Sequence, residues 1–144
     1  MQTHFPQQAA RFQWEAPAEI PLVHGDASRL EQVFVNLYSN ALEAGAERVV
    51  TAVERRADVL CIRIEDDGRG CPPEVAERIF EPFFTTKLGN RGLGMFIVRS
   101  IVMNHGGRIG AIGKNSSSQG CHGLVIHMEF PLLSLPVSLG RAAA

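Results

Sequence analysis

Between Asp26 and Ala44, apolar side chains fall at Leu30, Val33, Phe34, Leu37, Tyr38 and Ala41. Steps of three and four residues put all six on one stripe of an α-helix. Its start has two possible markers: Asp26 can serve as N-cap, or Ser28 and Glu31 can form a capping box. Gly45 supplies the stop. The period then changes to two. Residues 48–54 are rich in β-branched side chains. From Val59 to Asp66, Leu60, Ile62 and Ile64 alternate with Cys61, Arg63 and Glu65, so both stretches predict strands. Pro72 and Pro73 open a short helix ending near Phe80. A second long helix is predicted from near Gly92 to about Asn104, ended by His105-Gly106-Gly107. Residues 108–112 and 123–130 predict a last hairpin, with Leu124, Ile126, Met128 and Phe130 facing one way and Ser116–Gly120 at the tip. Phe12 and Trp14 suggest a short first strand. The mixture implies an α+β fold, with helices packed on one face of a mixed, mainly antiparallel sheet.

The chain has 144 residues, enough for one domain with a real core. We expect residues 1–10 to be a flexible N-terminal segment, 11–131 the folded domain and 132–144 a C-terminal tail. A net charge of -1 leaves no basic field for nucleic acid or an anionic membrane. No apolar run approaches the ~20 residues of a membrane span, and the first twelve residues hold no apolar signal core. The three cysteines, Cys61, Cys71 and Cys121, form no CxxC pair, which fits a reducing cytoplasm. The five histidines show no metal-ligand spacing.

Chemistry gathers at four places. Gln32, Asn36, Asn40 and Glu43 line the helix face opposite the apolar stripe. That is the usual place for a solvated face, but asparagine is a poor residue for a helix interior. Two of them one turn apart present amide oxygens suited to Mg²⁺ and phosphate. Asp66 ends an alternating strand and begins Asp-Asp-Gly-Arg-Gly. There it can accept a hydrogen bond from an adenine amino group, while Gly68 and Gly70 let the chain turn against a ligand. Gly92, Leu93 and Gly94 stand at a helix N-terminus, where free amides and the dipole favour phosphate. Before them, Thr85, Thr86 and Lys87 lie in an irregular stretch from about Phe83 to Arg91 that suits a mobile lid. Phe83 and Phe84 are candidate core anchors for that lid, at least one of them in that role.

Together these motifs resemble the catalytic, ATP-binding domain of bacterial sensor histidine kinases, within the wider gyrase, heat-shock-90, MutL and histidine-kinase ATPase family. The likeness covers about residues 10–131. GDASRLEQVFVNLYSNALEA looks like the N box, EDDGRGCPPEVAERIFEPFFTTK like the first glycine box running into the F box, and GLGMFIVRSIVMNHGGRI like the second glycine box and its helix. The resemblance implies a two-layer α/β sandwich of the Bergerat type, with ATP and Mg²⁺ as cofactors. It assigns Asn40 to the metal, Asn36 to the metal and phosphate shell, and Asp66 to adenine. Gly68 and Gly70 would shape the adenine side, and Gly92, Leu93 and Gly94 the phosphate side. Lys87 and Arg91 are both candidates for the cation that contacts phosphate.

Three departures stand out. Asn90 and Met95 replace a glycine and a leucine of the second box. Glu43 stands where many kinases carry a basic residue. Cys121-His122-Gly123 replaces the usual Gly-Gly-Thr of the hairpin. Position 36 separates functions. ATP-hydrolysing relatives and the family's serine kinases carry a glutamate there as general base, and an asparagine amide cannot accept a proton at useful pH. The expectation is therefore a domain that holds Mg·ATP and donates the γ-phosphoryl to a histidine on a dimerisation domain outside this chain, with a response regulator as indirect partner. Neither nucleic acid nor direct membrane contact is expected. The location is cytoplasmic, with the full-length protein anchored in the inner membrane or not. The alternatives are an anti-sigma-type serine kinase and a non-catalytic nucleotide-responsive module.

Overall fold

Asp26 settles the start of the first long helix. In the computed structural model, which describes residues 12–84, 93–114 and 122–133, its carboxylate accepts from the Arg29 N–H at 3.2 Å. The Ser28/Glu31 alternative is not the cap used. The elements in order are β1 (Phe12–Glu15), α1 (Ala27–Glu43), β2 (Val49–Arg56), β3 (Val59–Asp66), α2 (Pro73–Ala76), α3 (Gly94–Asn104), β4 (Arg108–Gly113) and β5 (Leu124–Pro131). The second strand runs two residues beyond its expected end. The short helix α2 closes at Ala76 and continues towards Phe80 only as turns. The hairpin tip at 116–120, residues 1–11 and residues 134–144 lie outside the described residues.

The five strands form one sheet in the order β1-β2-β3-β5-β4. Only β1 pairs in parallel; the other three pairings are antiparallel. Alternation fixes which face is covered. In β3, Leu60, Ile62 and Ile64 are buried, and in β5 so are Leu124, Ile126, Met128 and Phe130. The register puts Leu60 opposite Phe130, Ile62 opposite Met128 and Ile64 opposite Ile126. The two apolar rows therefore make one continuous surface. Val33, Leu37, Tyr38 and Ala41 of α1 join that core, as do Val98, Ile101 and Val102 of α3. The result is the expected open α+β sandwich, with one sheet face under helices and the other to solvent.

One polar pair sits inside the core. The hydroxyls of Tyr38 and Thr51 lie 2.7 Å apart, and both residues are almost wholly buried. Burial pushes the Tyr38 phenol above its usual pKa, with the Thr51 bond pulling the other way. The bond satisfies two groups that would each be costly to bury alone. Phe12 packs edge-on against the same ring, tying β1 to α1.

Candidate nucleotide-binding site

Asp66 has the parity of the core. Leu60, Ile62 and Ile64 point to the helices, and two residues further along the same face stands a carboxylate, only 6% exposed. Its neighbours across the sheet are Val49 and Leu124. Its Oδ1 accepts from the Gly68 N–H at 2.9 Å. Burial pushes the carboxyl above the ordinary aspartate value, partly offset by the backbone N–H groups of Gly68 and Leu124. A buried carboxylate at a strand end, raised in this way, is the kind of group that marks a functional site. Gly68 is required by space. A Cβ there would stand 2.8 Å from the Ala44 carbonyl and 3.1 Å from the Asp66 carboxylate. Gly70 takes a positive φ of 61°, which turns the chain towards α2.

Asp67 points elsewhere. Its Oδ1 accepts from the Glu47 and Arg48 N–H groups at 2.8 and 2.9 Å, closing the entry to β2. On the opposite sheet face, Glu65 accepts from Lys114 at 2.6 Å and from Arg63. Lys114, then Arg63, hold its carboxyl below the usual range. These charges rim a cleft of about 290 Å³ floored by Val50 and Ala52, on the side away from the helices.

Asn36 and Asn40 are both half-buried on α1, while Glu43 is exposed in its last turn. Four residues of rise separate the two amides by about 6 Å along the axis. Asn36 Nδ2 donates to the Gly94 carbonyl at 3.3 Å, linking the N box to the first residue of α3. Helix α3 starts at Gly94, with Leu93 as N-cap and no side-chain cap bond. Its first internal bond runs from the Ile97 N–H to the Leu93 carbonyl, so the N–H groups of Gly94, Met95 and Phe96 have no partner within the helix. A Cβ on Gly94 would meet nothing within 4 Å. The structure thus joins Asn36 to Gly94 and sets Gly68 on Asp66. Thr85, Thr86, Lys87, Arg91 and Gly92 lie outside the described residues, as do Gly89 and Asn90.

The expected lid anchor needs correction. Phe83 is 74% exposed and holds a left-handed φ of 66°, so it is no core residue. Phe84 is half-buried, with the Arg78 guanidinium 4.6 Å from its ring centroid. The phenylalanine in the core is Phe80. Sequence reasoning also missed Gly123, where a Cβ would stand 2.0 Å from the Asp66 carbonyl. The available signal was its place where the hairpin returns beside the strand that ends in Asp66.

ATP and Mg²⁺ can be tested against these residues. Amide oxygens on α1 are hard donors of the kind Mg²⁺ accepts. The described residues contain no cluster of three His, Cys, Asp or Glu that would favour another metal. The α3 terminus, with no side-chain cap bond, suits a phosphate. The residues fit both groups.

Comparison with known proteins identifies the family. Residues 25–134 match the model of the histidine kinase-, DNA gyrase B-, and HSP90-like ATPase family. The sensor histidine kinase ZraS of Salmonella typhi is 42% identical over 90 residues, which are 60% of this chain and 19% of ZraS. The chain thus spans about a fifth of ZraS and less of some other sensor kinases it matches in sequence. The catalytic domain of the histidine kinase ThkA superposes with a TM-score of 0.71 at 33% identity, covering 85% of this chain and 78% of that one. ThkA is also known in complex with the response regulator TrrA, at TM-score 0.65 and 30% identity over 85% of this chain and 34% of that one. Full-length ShkA in complex with AMPPNP superposes with a TM-score of 0.72 at 26% identity, over 88% of this chain and 27% of that one. The chain belongs to the histidine kinase-, DNA gyrase B- and HSP90-like ATPase family, and within it to the ATP-binding catalytic domains of sensor histidine kinases.

Proposed function

We propose that this domain binds Mg·ATP between α1, the Asp66–Gly70 turn and the start of α3, and presents the γ-phosphoryl to a histidine on a dimerisation domain of the same full-length kinase. A response regulator is the eventual acceptor, and the domain works in the cytoplasm. Asp66 accepts the adenine amino group, with Gly68 and Gly70 shaping that side. Asn40 and Asn36 supply oxygens to Mg²⁺ and the phosphates. Leu93 and Gly94, with Gly92 before them, offer backbone N–H groups to the phosphates. Thr85, Thr86 and Lys87 or Arg91 are proposed to close over them. Glu43, exposed at the end of α1, takes the outer edge. Bound Mg²⁺ would neutralise phosphate charge. The chain's own part is to orient the nucleotide and exclude water, leaving nucleophilicity to the acceptor imidazole.

The observation that carries this reading is the Asp66 carboxylate, buried on the helix-facing side of the sheet with Gly68 held against it. Asn36 bears against the serine-kinase alternative. A general base is needed where this side chain stands, and its amide donates to Gly94. Calorimetry with ATP and GTP, each with and without Mg²⁺, tests the proposal. ATP should bind tighter than GTP, whose 6-oxo group is an acceptor, and Mg²⁺ should strengthen ATP. Equal affinity for the two nucleotides would remove Asp66 from the base site.

A further inference from the structure

We propose that His105 is a positioning residue: as the neutral Nδ1–H tautomer it clamps the start of α1 to the end of α3, and so sets the spacing of the two helices that flank the nucleotide. Its last clause rests on the nucleotide reading above; the clamp itself does not.

Three observations converge on this ring. Its Nδ1 lies 2.7 Å from the Ile101 carbonyl, one turn back on α3. A carbonyl only accepts, so Nδ1 carries the hydrogen. Its Nε2 lies 3.0 Å from the backbone nitrogen of Asp26 and accepts that N–H. Nε2 is therefore bare, and the two bonds together select one tautomer. Third, the ring fills the space beside Gly25. A Cβ there would stand 2.5 Å from the imidazole Cδ2 and 2.9 Å from Nε2. Gly25 lacks a left-handed φ, so the glycine is there for room.

The contact is well placed to set helix spacing. Asp26 joins the start of α1 to the end of α3. Its carboxylate takes the Arg29 N–H, its carbonyl the Leu30 N–H, and its own N–H goes to His105. At the other end, Asn36 reaches Gly94. Asp26 and Asn36 are ten residues apart on α1, and Gly94 and His105 eleven apart on α3. At the helical rise these spans are about 15 and 16 Å. The helices therefore run antiparallel, pinned at two matched points. Asn36 belongs to the nucleotide site. His105 is remote from it and acts only through the helices.

The test separates the two nitrogens. Nitrogen-resolved NMR of the 144-residue chain should show His105 protonated at Nδ1 and bare at Nε2, with the Asp26 amide protected from exchange. His105→Gln places an acceptor near the Nε2 position and should keep affinity for an ATP analogue within about twofold. His105→Asn reaches only the Nδ1 side. It should weaken the analogue by about three- to tenfold, as the loss of one neutral hydrogen bond implies. Gly25→Ala, which displaces the ring, should match His105→Asn. An Nε2–H tautomer overturns the clamp, whatever the nucleotide does. Variants that lose thermal stability yet bind the analogue like the native chain overturn the positioning role. A native chain that binds no analogue overturns that role together with the nucleotide reading, while the tautomer still judges the clamp.

Discussion

Asp66 and Asp67 are neighbours in sequence, yet their carboxyl groups are displaced in opposite directions. Burial lifts Asp66 above the ordinary value. Burial also pushes on Asp67, but the Arg48 and Glu47 N–H groups together bring it below. Strand parity makes the difference: one faces the helices and the other closes the entry to β2. Asp66→Asn should therefore weaken ATP by about ten- to a hundredfold, the worth of a hydrogen bond to a charged group, with the fold retained. Asp67→Asn should leave affinity within about threefold and lower the melting temperature instead. Calorimetry and thermal unfolding of both variants check the division. A reversed pattern would mean that the wrong carboxylate has been assigned to adenine.

Acidification should act through the same group. With its folded-state pKa raised, Asp66 favours the ligand-free fold at low pH, and that contribution is lost as pH rises through the folded value. At neutral pH the ionised carboxylate is thus a local cost, which a donor such as an adenine amino group offsets. On acidification the acceptor is protonated earlier than an ordinary aspartate, which titrates near about 4. The affinity ratio of native to Asp66→Asn protein should fall towards one above that range. The ratio cancels the titration of ATP itself. A ratio constant down to the ordinary value would contradict the assignment.

Asn40→Ala should abolish the Mg²⁺ enhancement of ATP binding and affect metal-free ADP less. Asn40→Asp keeps an oxygen ligand and should retain part of the enhancement. Titration of each variant with and without Mg²⁺ decides the matter. Unchanged metal dependence in the alanine variant would rule the ligand role out.

Tyr38→Phe leaves the buried Thr51 hydroxyl without its partner. The expected loss is about 1–3 kcal/mol of unfolding free energy, read from denaturant unfolding. Tyr38→Phe combined with Thr51→Val should recover part of it, because both polar atoms are then gone. If the single variant is as stable as the native chain, the core does not depend on this bond.

Much of the fold was legible because its elements bury one face each. The period of α1 and the alternation of β3 and β5 are direct records of that burial. The open question at the start of α1 turned on which side chain meets a backbone N–H, and only geometry could choose Asp26. Of Phe80, Phe83 and Phe84 it is Phe80 that joins the core; the adjacent pair Phe83 and Phe84 carries no period, so nothing in the string says which phenylalanine turns inward. The candidate site was legible as Asp66, Asn36 and Gly94 because they interrupt those patterns: a charge with core parity, an amide in a helix interior, a glycine before a helix. The bonds from Asn36 to Gly94 and from His105 to Asp26 join residues 58 and 79 positions apart, and no local pattern encodes them.

The proposed function requires that this site hold Mg·ATP without activating water and give its γ-phosphoryl to a histidine elsewhere. The most direct measurement uses γ-labelled ATP with the 144-residue chain, alone and with a histidine-containing dimerisation domain added in trans or fused. The chain alone should show neither self-labelling nor rapid release of phosphate. With the dimerisation domain, an acid-labile phosphohistidine should form on that partner, and Asp66→Asn should suppress it. Hydrolysis by the chain alone at about 1 per second or more, an ordinary enzyme rate, or an acid-stable phosphoserine on the added protein, would contradict the claim.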